Sequence, residues 1–177
     1  MNLAETKLSS TPIDGGGFLK ISRDEVRTPS GNTCTRIVVR HPGAACVLAT
    51  TADDKAVLVR QWRYAVGEAT LEIPAGKLDA GEDPAACALR ELAEETPYTA
   101  AAAEKILHFY SAPGFCDEVL HLYRARNVVP NSSLKPDEDE FTETQLCTRE
   151  EARRLIADNT VKDGKTLIAL LHWLAEP

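Results

Sequence analysis

Nowhere in this chain of 177 residues is there a run of 18 apolar residues, nor a basic segment leading into an apolar one. These absences give the expectation of a cytoplasmic protein that neither spans a membrane nor is exported. A basic surplus is missing too. Lys and Arg number 20 against 27 Asp and Glu, for a net charge of −7, which argues against nucleic acid or an anionic membrane as partner, since both need a basic face. The five cysteines, Cys34, Cys46, Cys87, Cys116 and Cys147, include no C-x-x-C pair and are odd in number, so neither a disulfide framework nor a zinc knuckle is expected. Most of them read as small apolar core residues. Repeats and low-complexity tracts are also absent.

What is present is enough for one filled core: at 44% hydrophobic and 27% charged, residues 1–177 read as a single domain. Residues 1–14 and the Gly15-Gly16-Gly17 run look like a mobile lead-in. Strand-like runs follow at 18–26, 34–40, 45–50, 56–64 and 70–73, with Asp53-Asp54-Lys55 as a hairpin turn and Pro74 as a stop. Asp83-Pro84 is an N-cap and N1 pair opening a helix to Glu95, before Pro97. Strands at 106–110, 119–126 and 142–147 and two helices, near 149–158 and 165–175, complete an α+β pattern.

On a helical wheel, Glu91, Glu94 and Glu95 fall within an arc of about 100°, beside a face made by Ala85, Leu89 and Leu92. Carboxylates three and four apart repel by roughly 3 kcal/mol per pair at an effective dielectric of about 20, so a partly buried cluster calls for a cation. Hard divalent ions such as Mg²⁺ take oxygen ligands and share them with phosphate oxygens, which would let an acidic protein hold an acidic substrate. Arg90 can pair with Glu94 one turn on. Taken alone, an acidic helix face is more often simply solvated.

The wider pattern decides between the two. Gly76, five residues, Glu82, seven residues, then Arg90-Glu91-Leu92-Ala93-Glu94-Glu95 closely resembles the Nudix box, matching seven fixed positions. One position departs: Pro97 stands where the box has glycine, and proline cannot take the left-handed cap that glycine supplies. The resemblance narrows to the ADP-ribose pyrophosphatases through Arg60-Gln61-Trp62-Arg63, Leu71-Glu72-Ile73-Pro74-Ala75-Gly76 and Pro113 in Ser111-Ala112-Pro113-Gly114-Phe115.

What the resemblance implies is a mixed central β-sheet between helices, an α/β/α sandwich, with a smaller N-terminal antiparallel sheet. It implies metal ligation by Glu91, Glu94, Glu95 and the Ala75 carbonyl, with two or three Mg²⁺ ions, or Mn²⁺ in their place. It places Arg63, Glu72, Gly76, Glu82 and Pro113 about the substrate, and Arg90 and Glu94 in the catalytic set. From the run Asp137-Glu138-Asp139-Glu140, otherwise a solvated turn, it makes Glu138 and Glu140 candidates for the base or an added metal ligand. The implied reaction is hydrolysis of a nucleotide sugar, ADP-ribose first and GDP-mannose as the rival, with a non-catalytic nucleotide-sugar-binding module as the alternative of another class. A homodimer formed through residues 15–50 is also implied. His41, His108, His121 and His172 show no metal-ligand spacing, and Trp62 and Trp173 read as packing residues.

Overall fold

A computed structural model of the protein describes residues 4–13, 17–131 and 142–176. Within the domain expected from the length, two compact units form, one of residues Met1–Gly43 and Tyr110–Val119, the other of Ala44–Phe109 and Leu120–Pro177.

The first unit is built on three antiparallel strands in the order β1 (Thr6–Ile13), β2 (Lys20–Arg27) and β3 (Thr33–Arg40). The loop at 110–119 joins it through a parallel bridge between Val39 and Cys116. Here the structure corrects the expectation of a mobile lead-in, because Thr6–Ile13 is a paired strand. Its sequence hid this: every residue of β1 is exposed, so no alternation of apolar and polar residues marks it.

The second unit holds a seven-stranded sheet made by β4 (Ala44–Thr50), β5 (Ala56–Arg63), β6 (Glu68–Glu72), β7 (Ala75–Lys77), β9 (Glu104–Tyr110), β10 (Val119–Arg126) and β12 (Thr142–Cys147). The order β12-β5-β4-β10-β9 carries β6 beside β5 and β7 beside β4. β4 lies parallel to β10 and antiparallel to β5, so the sheet is mixed. A two-residue pair, β8 (Tyr98–Thr99) with β11 (Val129–Pro130), sits apart from it. The turn at Asp53-Asp54-Lys55 forms, with Asp54 at φ 55°, but β4 and β5 pair only at Thr50 and Ala56 before diverging to admit β6 and β7.

All seven residues of β4 are buried, which a strand covered on both faces requires. Ala45, Val47 and Ala49 join Val57, Tyr123 and Ala125 beneath the helix α1 (Pro84–Glu95), through its Cys87, Ala88 and Leu92. Cys46 and Leu48 face the other way, onto α2 (Arg149–Ala157) and α3 (Gly164–Ala175), where Ala152, Leu155, Ala169, Leu170 and Trp173 fill the second core. The sheet between two helical layers is the expected sandwich. No helix among the described residues is long and apolar enough to cross a membrane.

The box helix starts as read, with the Asp83 carboxylate accepting from the backbone N–H of Ala85 and Ala86 and Pro84 at its first turn. Its end resolves the question raised by Pro97. Thr96 takes an extended conformation, φ −138° and ψ 160°, as the residue before a proline tends to. The Thr96 hydroxyl donates to the Leu92 carbonyl at 2.5 Å and accepts from the Tyr98 N–H at 3.2 Å. A buried hydroxyl thus does for the last turn what a left-handed glycine does elsewhere. Thr96→Val should therefore lower stability by about 1–2 kcal/mol, whereas Pro97→Gly should cost less than about 1 kcal/mol, acting mainly on the unfolded chain. Chemical denaturation of both variants checks the order; a larger loss from Pro97→Gly would mean that the ring, and not the hydroxyl, ends the helix.

Candidate active site

Three of the four box glutamates converge on one guanidinium. Arg90 donates through Nε and Nη2 to the two oxygens of Glu82, at 2.9 and 3.0 Å, and through Nη1 to Glu91 Oε1 and Glu94 Oε2, both at 2.7 Å. Glu82 is fixed from its other side by the Asp79 N–H at 2.9 Å. The Arg90 hydrogen bond, followed by that backbone donor, holds the Glu82 carboxyl down to about 2, and contact with Glu82 foremost raises Arg90 above its usual value.

Glu91 and Glu95 belong to the buried stripe of α1, at 7% and 3% exposure, together with Cys87, Ala88 and Leu92. The sequence reading had put the carboxylates on a face beside the packing face, with Leu89 among the packing residues. In the structure Leu89 is half-buried, and the acidic stripe runs into the core side, because β7 folds over it. Glu95 Oε2 accepts from the Ala75 N–H at 3.0 Å. A Cβ placed on Gly76 would fall inside the Glu91 carboxylate, so only glycine lets that strand pass so close. Cys87 donates its thiol toward the carbonyls of Gly76 and Lys77, and burial, with the neighbouring Glu82 and Glu91, pushes it up to about 12, leaving an inert thiol.

Among the described residues, no three His, Cys, Asp or Glu side chains are already gathered closely enough to hold a metal ion. Arg90 and the Ala75 N–H draw the carboxylates to themselves. The donor set nevertheless fits a hard divalent cation: two buried carboxylates four residues apart, a third at Glu94 beside the second, the Ala75 backbone next to Glu95, and a glycine at 76 that leaves room for the Glu91 carboxylate.

Arg63, the last residue of β5, has a half-exposed side chain held in a two-point pair with Glu72: Nε to Oε1 at 2.6 Å and Nη2 to Oε2 at 2.5 Å. The Glu72 contact raises Arg63, burial opposes it, and the charges of Glu72, Glu95 and Asp163 add to the rise. Glu72 is 2% exposed and saturated, for Thr70 donates to Oε1 at 2.6 Å and Lys165 to Oε2. Burial pushes its carboxyl up, but Arg63, Lys165 and Thr70 together hold it at about 2. Lys165, with 8% of its surface exposed, is a site residue the sequence did not show.

Pro113 lies in the first unit, on the loop after β9, where Phe115 and Cys116 N–H groups both donate to the Ala112 carbonyl. With Arg36, Arg40, Tyr110 and Phe115 it lines a cavity of about 440 Å³. Glu138 and Glu140 lie outside the described residues.

Two outcomes follow from this geometry. Gly76→Ala should destabilise by about 1–3 kcal/mol through overpacking against Glu91, and adding Glu91→Ala should return most of that loss, which a double-mutant cycle measures. Purely additive effects would show that the carboxylate is not what the methyl meets. Because the folded-state value of Glu72 sits near 2, below its ordinary 4.5, its contribution to stability is present above about pH 4.5 and is lost as pH falls toward 2. Unfolding curves between pH 6 and 3 should accordingly fall more steeply for the wild type than for Glu72→Gln; parallel curves would contradict this.

Comparison with known proteins bears on the family and the fold. A model of the NUDIX domain matches residues 39–170. The methanol dehydrogenase activator of Bacillus methanolicus is 41% identical over 169 residues, covering 95% of this chain and 91% of its own length. The ADP-ribose pyrophosphatase of Bacillus subtilis (strain 168) is 41% identical over 172 residues, covering 97% and 93%. A crystal structure of an ADP compounds hydrolase shares the fold, with a TM-score of 0.84 at 21% identity and coverage of 98% and 96%. With its glutamates gathered about Arg90 and a family model spanning most of its length, this chain belongs to the Nudix family.

Proposed function

We propose that the protein is a divalent-metal-dependent pyrophosphohydrolase that splits the diphosphate of a nucleoside diphosphate sugar. ADP-ribose, the substrate in the name of the Bacillus subtilis relative, is the first candidate, giving AMP and ribose 5-phosphate. The observation that carries this reading is the pairing of two opposed devices in one unit: buried carboxylates that suit a cation, and Arg63, whose guanidinium is anchored on one side and 44% exposed overall. A diphosphate bridges such a pair of charges.

In this reading Glu91, Glu94, Glu95 and the Ala75 carbonyl hold Mg²⁺, two or three ions, with Mn²⁺ able to substitute. Held there, such ions would supply charge neutralisation at phosphoryl oxygens and a lowered pKa for water. Arg63 takes the remaining negative charge of the diphosphate. Glu72 serves through Arg63 and not by touching substrate, since its four acceptor positions are filled by the chain itself. Glu82 aims Arg90, and Arg90 aims Glu91 and Glu94. Gly76 keeps the approach to Glu91 clear. Carboxylates committed to cations are poor proton acceptors, so Glu138 or Glu140 accepts the proton from the attacking water. Pro113 and the cavity beside it belong to the first unit, whose strands, within residues 15–50, form the interface of a homodimer.

The test is product analysis with ADP-ribose and GDP-mannose in parallel, with and without Mg²⁺. ADP-ribose should turn over and chelation should stop it; a preference for GDP-mannose would move the substrate while keeping the reaction. Absence of turnover on any nucleotide sugar with saturating Mg²⁺ or Mn²⁺ would leave a binding module instead. For the base, the Gln variant of Glu138 or Glu140 should lower kcat by roughly 10²–10⁴ with KM and the Mg²⁺ requirement little changed. A rise in the Mg²⁺ requirement would make that residue a metal ligand, and wild-type constants for both would return the base to Glu94 or Glu82.

A further inference from the structure

From the end of β6 into β7 runs a short segment, 73–76, which pairs with β4 at Ala75 and Gly76 but turns the N–H groups of Ile73 and Ala75 away from that strand. Pro74 has no N–H to give, and its carbonyl accepts from Val47 at 3.0 Å. The two remaining N–H groups before Gly76 both go to side chains. Ala75 donates to Glu95, and Ile73 donates to the Thr166 hydroxyl at 2.8 Å, a buried bond across 93 residues of sequence. Thr166, fully buried, donates its hydroxyl hydrogen bond to Asp163 Oδ2 at 2.6 Å. That same oxygen accepts the Thr166 N–H at 3.0 Å and the Lys165 ammonium at 3.1 Å, and Lys165 reaches on to Glu72.

The first turn of α3 therefore touches both working parts of the site. Through Lys165 it grips the carboxylate that holds Arg63; through Thr166 it fixes the strand exit that carries Ala75 and Gly76. The turn is itself rigidly based. Trp173, at the other end of α3, is fully buried, donates from its indole to Asp54 at 3.1 Å, and has its carbonyl held by Arg149 at 2.9 Å. Of the four charges in the chain Arg63–Glu72–Lys165–Asp163, two are positive and two negative, and three of these side chains are at most about one-fifth exposed. Such an arrangement resists movement of any one member, because displacing it strands a buried partner.

We propose that Asp163, Lys165 and Thr166 are positioning residues of the active site, Lys165 setting the orientation of Arg63 toward the substrate diphosphate and Thr166 setting the 73–76 backbone against the metal-binding carboxylates. This rests on the functional reading above, but two of its readouts do not. Fixed supports of this kind tune affinity without touching the ligand.

The experiment compares Thr166→Val with Thr166→Ser, and Lys165→Met with Lys165→Arg, in the full chain. Thr166→Val keeps the shape and removes the acceptor. Hydrogen exchange at the Ile73 amide should speed up by at least about tenfold, and the dissociation constant for Mn²⁺, titrated without nucleotide, should rise about tenfold; Thr166→Ser should restore both. Lys165→Met should leave Mn²⁺ affinity at the wild-type value and raise KM for ADP-ribose about tenfold with kcat little changed, and Lys165→Arg should recover most of it. If Lys165→Met does not fold, Lys165→Gln, which still donates but is uncharged, takes its place. The proposal is overturned if Ile73 exchange and Mn²⁺ affinity in Thr166→Val match the wild type. It is also overturned if activity falls only in proportion to the folded fraction, with KM and metal affinity unmoved. Should the wild type hydrolyse no nucleotide sugar, the functional reading fails alone, since exchange and Mn²⁺ binding still decide the role of Thr166.

Discussion

Crowded negative charge is the constraint around which this unit is arranged. Glu82, Glu91, Glu94 and Glu95 sit within two turns of helix and one loop, and two of them are almost wholly buried. Carboxylates so placed raise one another's energy and that of the fold unless positive charge and N–H groups are aimed at them. Arg90 answers three of them, and the Ala75 N–H answers Glu95. The close strand β7, the glycine at 76 and the buried thiol of Cys87 follow from bringing backbone near those oxygens. The cost in stability is what leaves the site receptive to a cation.

A second, neutralised set of charges lies beside the first. Glu72 is tied on one side by Arg63 and on the other by Lys165, so its negative charge is spent within the protein. The contrast is functional: one group of carboxylates is left in electrostatic excess and the other is balanced. The excess group suits metal, and the balanced group suits holding an arginine still.

How far the sequence showed this depends on the range of each interaction. The box helix was legible to within a residue, because Asp83-Pro84 and the approach to Pro97 are local signals written beside the bonds they make. So was β10, in which five of eight residues are apolar or aromatic over Val119–Arg126. The strand at Thr6–Ile13 was not, since a fully exposed strand leaves no periodic trace. The wheel puts the three glutamates on one arc but could not show that Glu91 and Glu95 are buried, which depends on β7 crossing above them. The hydroxyl cap of Thr96 was hidden behind the conspicuous proline. Lys165 carries no local signal of its role, since its partner Glu72 stands 93 residues earlier. Resemblance supplied Arg63 and Glu72 as separate candidates, and the structure adds that they are paired at two points.

Those long separations also bear on the order in which the molecule comes into being. β5 with Arg63 leaves the ribosome first, the box helix next and α3 later, yet the strand exit at Ile73 has its hydroxyl partner only on the last of these. Closing a loop of 93 residues is an entropic debt that local helix formation does not offset, and folds dominated by such contacts assemble slowly. A growing chain can thus carry the whole box segment while Glu72 and the 73–76 backbone still lack their partners on α3. The supports of Glu72 and Ile73 are complete only once α3 has docked.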